Sequence, residues 1–92
     1  MNPSYRYRLV DGVAVRPERF GGLAYNYHNR SLYFLHSREL TDFVSGLDGD
    51  LPLAEALDAF RRRHDLPAEA GEAMLKSLAA LETKGIVAAV AD

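Results

Sequence analysis

Residues 22–36, Gly-Leu-Ala-Tyr-Asn-Tyr-His-Asn-Arg-Ser-Leu-Tyr-Phe-Leu-His, constrain the fold more than any other stretch, because they read as two alternating strands about a short turn. With Asn29-Arg30 as a two-residue turn, His28 lies opposite Ser31, Tyr27 opposite Leu32, Asn26 opposite Tyr33, Tyr25 opposite Phe34 and Ala24 opposite Leu35. One face then carries Leu23, Tyr25, Tyr27, Leu32 and Phe34, and a face so apolar is expected to lie against the core. The other face, with Ala24, Asn26, Tyr33 and Leu35, is expected to meet solvent or to floor a shallow binding surface.

Upstream, Asp11-Gly12 marks a turn before Val13-Ala14-Val15-Arg16, a β-branched segment that reads as the first strand and stops at Pro17. Gly21-Gly22 supplies the corner into the hairpin. The expectation is a three-stranded antiparallel sheet with residues 23–28 in the centre and 31–36 at an edge. Residues 1–5 are expected to fray, with Tyr7 and Leu9 able to pin the tail to the domain.

Everything after His36 reads as helix. Ser37 is a good N-cap, and Leu40, Phe43, Val44 and Leu47 recur at helical spacing, predicting a helix over 38–47 that Asp48-Gly49-Asp50 ends. Pro52 opens a second periodic segment whose stripe of Leu53, Ala56, Leu57 and Phe60 runs up to Arg61-Arg62-Arg63-His64. A third helix opens near Asp65-Leu66-Pro67 and carries Ala70, Met74, Leu78 and Leu81 on its apolar side. Gly85 fits the left-handed position after its end, with Ile86 placed to touch Leu81 as in a Schellman motif. Residues 86–90 fit a brief terminal strand. Gly71 inside this helix suggests a late start or a close packing contact.

The order β-β-β-α-α-α is an α+β class, and 92 residues make one domain spanning 1–92. Such a chain buries roughly 60–65% of its unfolded surface around a single core, which leaves little room for an elaborate catalytic cavity. It has no cysteine, so thiolate nucleophiles, zinc ribbons and iron–sulfur clusters are excluded together, and a cytoplasmic location is the expectation. The sequence offers no transmembrane run and no signal peptide. His28, His36 and His64 are scattered without carboxylates at ligand spacing, and there is no nucleophile–base pair, phosphate loop or HExxH. Neither a metal site, a cofactor nor a catalytic residue is expected.

The net charge of −2 hides an asymmetry. Residues 1–36 hold five arginines against Asp11 and Glu18, a balance of +3, while residues 37–92 hold six basic and eleven acidic side chains, a balance of −5. Seven of the nine aromatic residues also fall in the first part, the strand half.

The closing run Met74-Leu75-Lys76-Ser77-Leu78-Ala79-Ala80-Leu81-Glu82-Thr83-Lys84-Gly85-Ile86-Val87, behind three strands and two helices, resembles the small winged helix-turn-helix domains that recognise precursor peptides of ribosomally made natural products. The run Val15-Arg16-Pro17-Glu18-Arg19-Phe20-Gly21-Gly22-Leu23-Ala24-Tyr25, with Asn29-Arg30 and Leu32-Tyr33-Phe34-Leu35, is similar to the mycofactocin-system peptide chaperones within that group. The likeness covers residues 5–90. It implies a non-catalytic adaptor that binds the leader of a precursor peptide and presents it to a radical S-adenosylmethionine enzyme. It further implies that the acidic leader adds as a strand beside the third strand, in a groove against the third helix. Carried over, the peptide-binding residues are Ser31, Leu32, Tyr33, Phe34 and Leu35 on the strand and Leu75, Leu78 and Glu82 on the helix. The opposite helix flank, Ala73, Ser77 and Ala80, is the alternative.

The residues taken alone agree with such docking, since an edge strand offers unpaired N–H and C=O groups. Two other readings compete. A DNA-binding winged helix would use Arg61-Arg62-Arg63 and want a basic third helix, yet Glu69, Glu72 and Glu82 outnumber Lys76 and Lys84 there, so no nucleic-acid partner is expected. A homo-oligomeric interaction domain, a homodimer for instance, would pair the same edge with its twin.

Overall fold

The computed structural model describes residues 1–90, with the order β1 (Arg6–Leu9), β2 (Val13–Glu18), β3 (Gly21–Asn26), β4 (Leu32–Leu35), α1 (Arg38–Ser45), β5 (Asp48–Pro52), α2 (Leu53–His64), α3 (Ala68–Thr83) and β6 (Val87–Ala89). The class is α+β with the three expected helices. The strands, however, form two antiparallel three-stranded sheets, β2-β3-β4 and β5-β1-β6, where one sheet is expected from the sequence.

The second sheet gathers segments distant in sequence. Tyr7, Arg8 and Leu9 of β1 pair with Ala89, Ala88 and Val87 of β6, and β5 lies on the other side of β1 with Arg6 opposite Pro52 and Arg8 opposite Asp48. Two more residues separate the partners on β5 than on β1, an irregularity absorbed at Gly49, whose φ is 79°. The terminal strand falls where residues 86–90 suggested. Tyr7 does pin the tail: its ring is buried, and its hydroxyl accepts a hydrogen bond from Asn2 N at 2.9 Å.

Helix ends follow local chemistry. Ser37 Oγ accepts from Leu40 N at 3.0 Å and caps α1, which stops at Ser45, two residues short of the expected end. After α3, Gly85 takes φ 76°, Ile86 N donates to Leu81 O at 2.9 Å and Gly85 N to Glu82 O at 3.1 Å, the two bonds of a Schellman motif. Leu81 and Ile86 are both fully buried. Gly71 marks close packing, since a Cβ there would sit 2.9 Å from Arg61 Cδ on α2.

The core lies between the sheets and the helices, built from Tyr7, Leu35, Leu40, Phe43, Val44, Leu53, Leu57, Phe60, Met74, Leu78, Leu81, Ile86 and Val87 with smaller neighbours. Phe43 of α1 and Phe60 of α2 meet edge to face with centroids 5.4 Å apart.

The hairpin departs from expectation twice. Tyr25 pairs with Leu32 and Leu23 with Phe34, so the register is slid by two residues and the connection is a four-residue loop, 27–30. Asn26 Oδ1 accepts from His28 N and Asn29 N, and Asn29 Oδ1 accepts from Ser31 N, so two asparagine side chains stabilise the longer loop in place of a tight turn. A slip of two keeps partners on the same face. The face turned inward, however, is the opposite of the expected one. Ala24 and Leu35 are fully buried and Asn26 nearly so, whereas Tyr27 is 66% exposed, Phe34 50% and Leu32 47%.

Size decides the orientation. Helix α1 packs across the sheet so closely that a Cβ on Gly22 would stand 2.5 Å from Thr41 Cγ2. Only the small side of β3, Gly22 and Ala24, admits a helix at that distance; Leu23 and Tyr25 would hold it off.

Candidate functional site

The sequence reading places the site at β4 and α3. Strand β4 is the last in its sheet, so among the described residues one of its backbone borders has no strand beside it. The terminal strand β6, which could have closed that border, pairs with β1 in the other sheet.

Hydrogen-bond alternation identifies the groups on the open border. Asn26 N donates to Ser31 O at 2.9 Å, so residues 26 and 31 form a hydrogen-bonded pair of the antiparallel ladder. Such pairs recur every second residue, making Ala24 with Tyr33 and Gly22 with Leu35 the next two. The other edge of β3 agrees: Tyr27 N donates to Gly12 O at 3.0 Å, so Tyr25 and Leu23 bond toward β2. Ser31, Tyr33 and Leu35 therefore turn their N–H and C=O groups to β3, and Leu32 and Phe34 turn theirs outward. A Cβ on Gly21 would lie 2.1 Å from Leu35 O, as an inward-facing carbonyl requires.

The side chains sort differently from the backbone. Leu32 and Phe34 stand exposed on the outer face of the sheet, Tyr33 is half-buried against the core on the inner face, and Leu35 is buried entirely. Leu35 thus contributes core packing and offers a ligand neither its side chain nor its N–H.

The three expected helix residues have different surroundings. Leu78 is fully buried. Glu82 forms an ion pair with the Met1 amino group at 3.4 Å, and Leu75 lines a shallow hollow with Pro3, Ala54, Leu57 and Ala68. That flank of α3 meets the N-terminal segment and α2. The end of α3 meets the hairpin through Lys84 and Gly85: Asn29 Nδ2 donates to Lys84 O at 3.5 Å and Asn26 Nδ2 to Gly85 O at 2.8 Å. Helical spacing puts Ala80, Ser77 and Ala73 on the same side as Lys84, so the flank left as the alternative is the one that runs back from the hairpin.

The sequence reading missed Asn26, a 3% exposed polar side chain that bonds the hairpin loop and the α3 terminus at once. An asparagine in the middle of an apolar alternation was the available signal.

The basic run at the end of α2 is largely engaged within its own helix. Asp58 pairs with Arg61 at 2.7 Å and Arg62 at 2.9 Å, while the Arg63 guanidinium lies 5.9 Å from the Phe60 ring centre and His64 stacks on the same ring. No group of three or more metal-ligating side chains occurs among the described residues, and no helix among them is long and apolar enough to cross a membrane.

A family model described as the peptide chaperone MftB family matches residues 6–88. The chain belongs to that family. Peptide chaperone MftB of Mycolicibacterium smegmatis is 44% identical over 46 residues, covering 50% of this chain and 45% of that relative. The protein of the same name from Mycobacterium tuberculosis is 44% identical over 46 residues, covering 50% of this chain and 42% of the relative. The chain spans less than half the length of these curated MftB relatives. No solved structure matches it.

Proposed function

We propose that the chain is a non-catalytic peptide adaptor that takes up the leader of a ribosomally made precursor peptide by strand addition. The observation that carries this reading is the open border of β4, where Leu32 and Phe34 present their N–H and C=O groups with no strand beside them among the described residues. A guest strand supplies partners for those groups and extends the sheet from three strands to four. Membership of a family described as peptide chaperones supports the same role.

The guest lies along residues 31–35 with its inner side toward Ser77, Ala80 and Lys84 of α3, the flank that continues from the hairpin contact. Leu75, Leu78 and Glu82 support that helix from behind. The overall plan is that of a winged helix with an added β5-β1-β6 sheet. The positive strand half steers an acidic leader toward the border. In this reading the chain works in the cytoplasm with no cofactor of its own and presents the leader to a radical S-adenosylmethionine enzyme of a mycofactocin-type pathway.

Calorimetry with the leader of a precursor peptide encoded beside this gene tests the proposal. Binding that Phe34→Pro abolishes while the fold persists supports strand addition, because proline deletes an outward donor and is tolerated at a sheet edge. Undiminished binding by Phe34→Pro contradicts it.

A further inference from the structure

The outer face of the β2-β3-β4 sheet is an apolar feature that the adaptor role leaves unused. Leu23, Tyr25, Tyr27, Leu32 and Phe34 share it, and Phe20 in the turn between β2 and β3 closes one end, its ring edge to face with Phe34 at 5.7 Å. Tyr25 and Tyr27 meet in the same way at 4.7 Å. Among the described residues α1 packs on the opposite face, at Gly22 and Ala24. Four of these residues, Phe20, Tyr27, Leu32 and Phe34, are about half exposed or more, an arrangement that monomeric proteins keep for a partner.

Two features select the occupant. The first is continuity with the open border. A strand added beside β4 alternates its side chains between the two faces, and those opposite Leu32 and Phe34 land on the outer face beside them. The second is charge. Arg30 stands two residues before Leu32 at one end of β4, and Arg19 stands in the turn that lies against the other end; both are exposed, and neither has an ion-pair partner among the described residues. Arg16, also exposed, projects on the same face but is already paired with Glu18 at 2.7 Å, so the cations open to a partner there are Arg19 and Arg30. A second copy docked face to face would stack these cations on one another, whereas a peptide with an apolar middle and acidic ends matches them at both ends.

Building on the strand-addition reading, we infer that Leu32, Phe34 and Phe20 form a specificity shelf that reads two apolar side chains, at alternate positions of the guest strand, between acidic flanks. The guest's backbone supplies affinity common to any extended segment, and the shelf chooses among segments. The side chains between the two anchors face α3, where Ser77 and Ala80 leave room for small residues.

The test uses the full chain and synthetic peptides of about eleven residues with Asp-Glu ends, carrying either Leu or Ser at two positions separated by one residue. The wild-type chain is expected to bind the Leu peptide about tenfold more tightly. In the double variant Leu32→Ser, Phe34→Ser, and separately in Phe20→Ser, that preference is expected to collapse while residual binding stays sensitive to a proline at position 34. Both sets change exposed side chains, and circular dichroism checks the fold. Proline-sensitive binding with an unchanged Leu preference overturns the shelf and leaves strand addition standing. Binding indifferent to the proline overturns strand addition itself. Concentration-dependent dimers that Phe34→Ser dissolves assign the face to a second copy and overturn the inference as well.

Discussion

Asn26 Nδ2 donates to Gly85 O at 2.8 Å, joining the last residue of β3 to the glycine that terminates α3, 59 positions further along the chain. The same side chain accepts from the backbone of the 27–30 loop, so one buried amide sets both the hairpin turn and the distance between the open strand and the third helix. Replacing it with leucine leaves the Gly85 carbonyl and two loop N–H groups without their partner. Asn26→Leu is expected to cost about 1–3 kcal/mol, read as a lower urea midpoint. An unchanged midpoint removes Asn26 from this role.

The orientation of the sheet gives a paired prediction. Leu35→Ala empties a core site and is expected to cost about 2–5 kcal/mol, while Phe34→Ser, one position away on the exposed face, is expected to change stability by less than about 1 kcal/mol. Chemical denaturation of the two variants side by side checks this, and the reverse ranking places the core on the aromatic side.

The approach of α1 to β3 yields a coupling. Gly22→Ala pushes a methyl group into Thr41 and the Arg16 carbonyl and is expected to destabilise by about 1–3 kcal/mol. Thr41→Ala removes the atoms struck, so the double variant is expected to lose less than the sum of the two single variants. Strict additivity in a double-mutant cycle denies the contact.

What the sequence revealed of this fold was its local chemistry. Ser37 caps α1 and Gly85-Ile86 closes α3 as read, because a cap is a matter of a few neighbouring residues. The β5-β1-β6 sheet stayed hidden: Arg6-Tyr7-Arg8-Leu9 carries two charges in four residues, and Asp48-Gly49-Asp50 has the composition of a helix stop, so only their long-range pairing makes them strands. Alternation in the hairpin revealed two faces without saying which one a helix covers. The smallness of Gly22 and Ala24 held that answer and was outweighed by the bulk opposite.

The candidate site was legible to a similar depth. That residues 31–35 lie at a sheet edge followed from their place in the hairpin; which of them face outward depends on the register, and the register on asparagine bonds in the loop. Where the end of α3 meets the hairpin depends on the tertiary contact at Lys84 and Gly85, which no periodicity contains.

Charge at the two ends of β4 predicts a kinetic effect. Arg19→Gln with Arg30→Gln is expected to slow association of an acidic leader severalfold and to flatten its dependence on salt, with little change in dissociation. Stopped-flow measurements at low and high ionic strength decide it, and an association rate indifferent to both salt and the substitutions contradicts steering.

The most direct measurement is amide hydrogen exchange at residues 31–35, with and without bound leader. Strand addition predicts that the Leu32 and Phe34 amides, open in the free chain, become strongly protected, while Tyr33 and Leu35, already bonded to β3, change little. Leader binding that leaves Leu32 and Phe34 exchanging as before contradicts docking at this border.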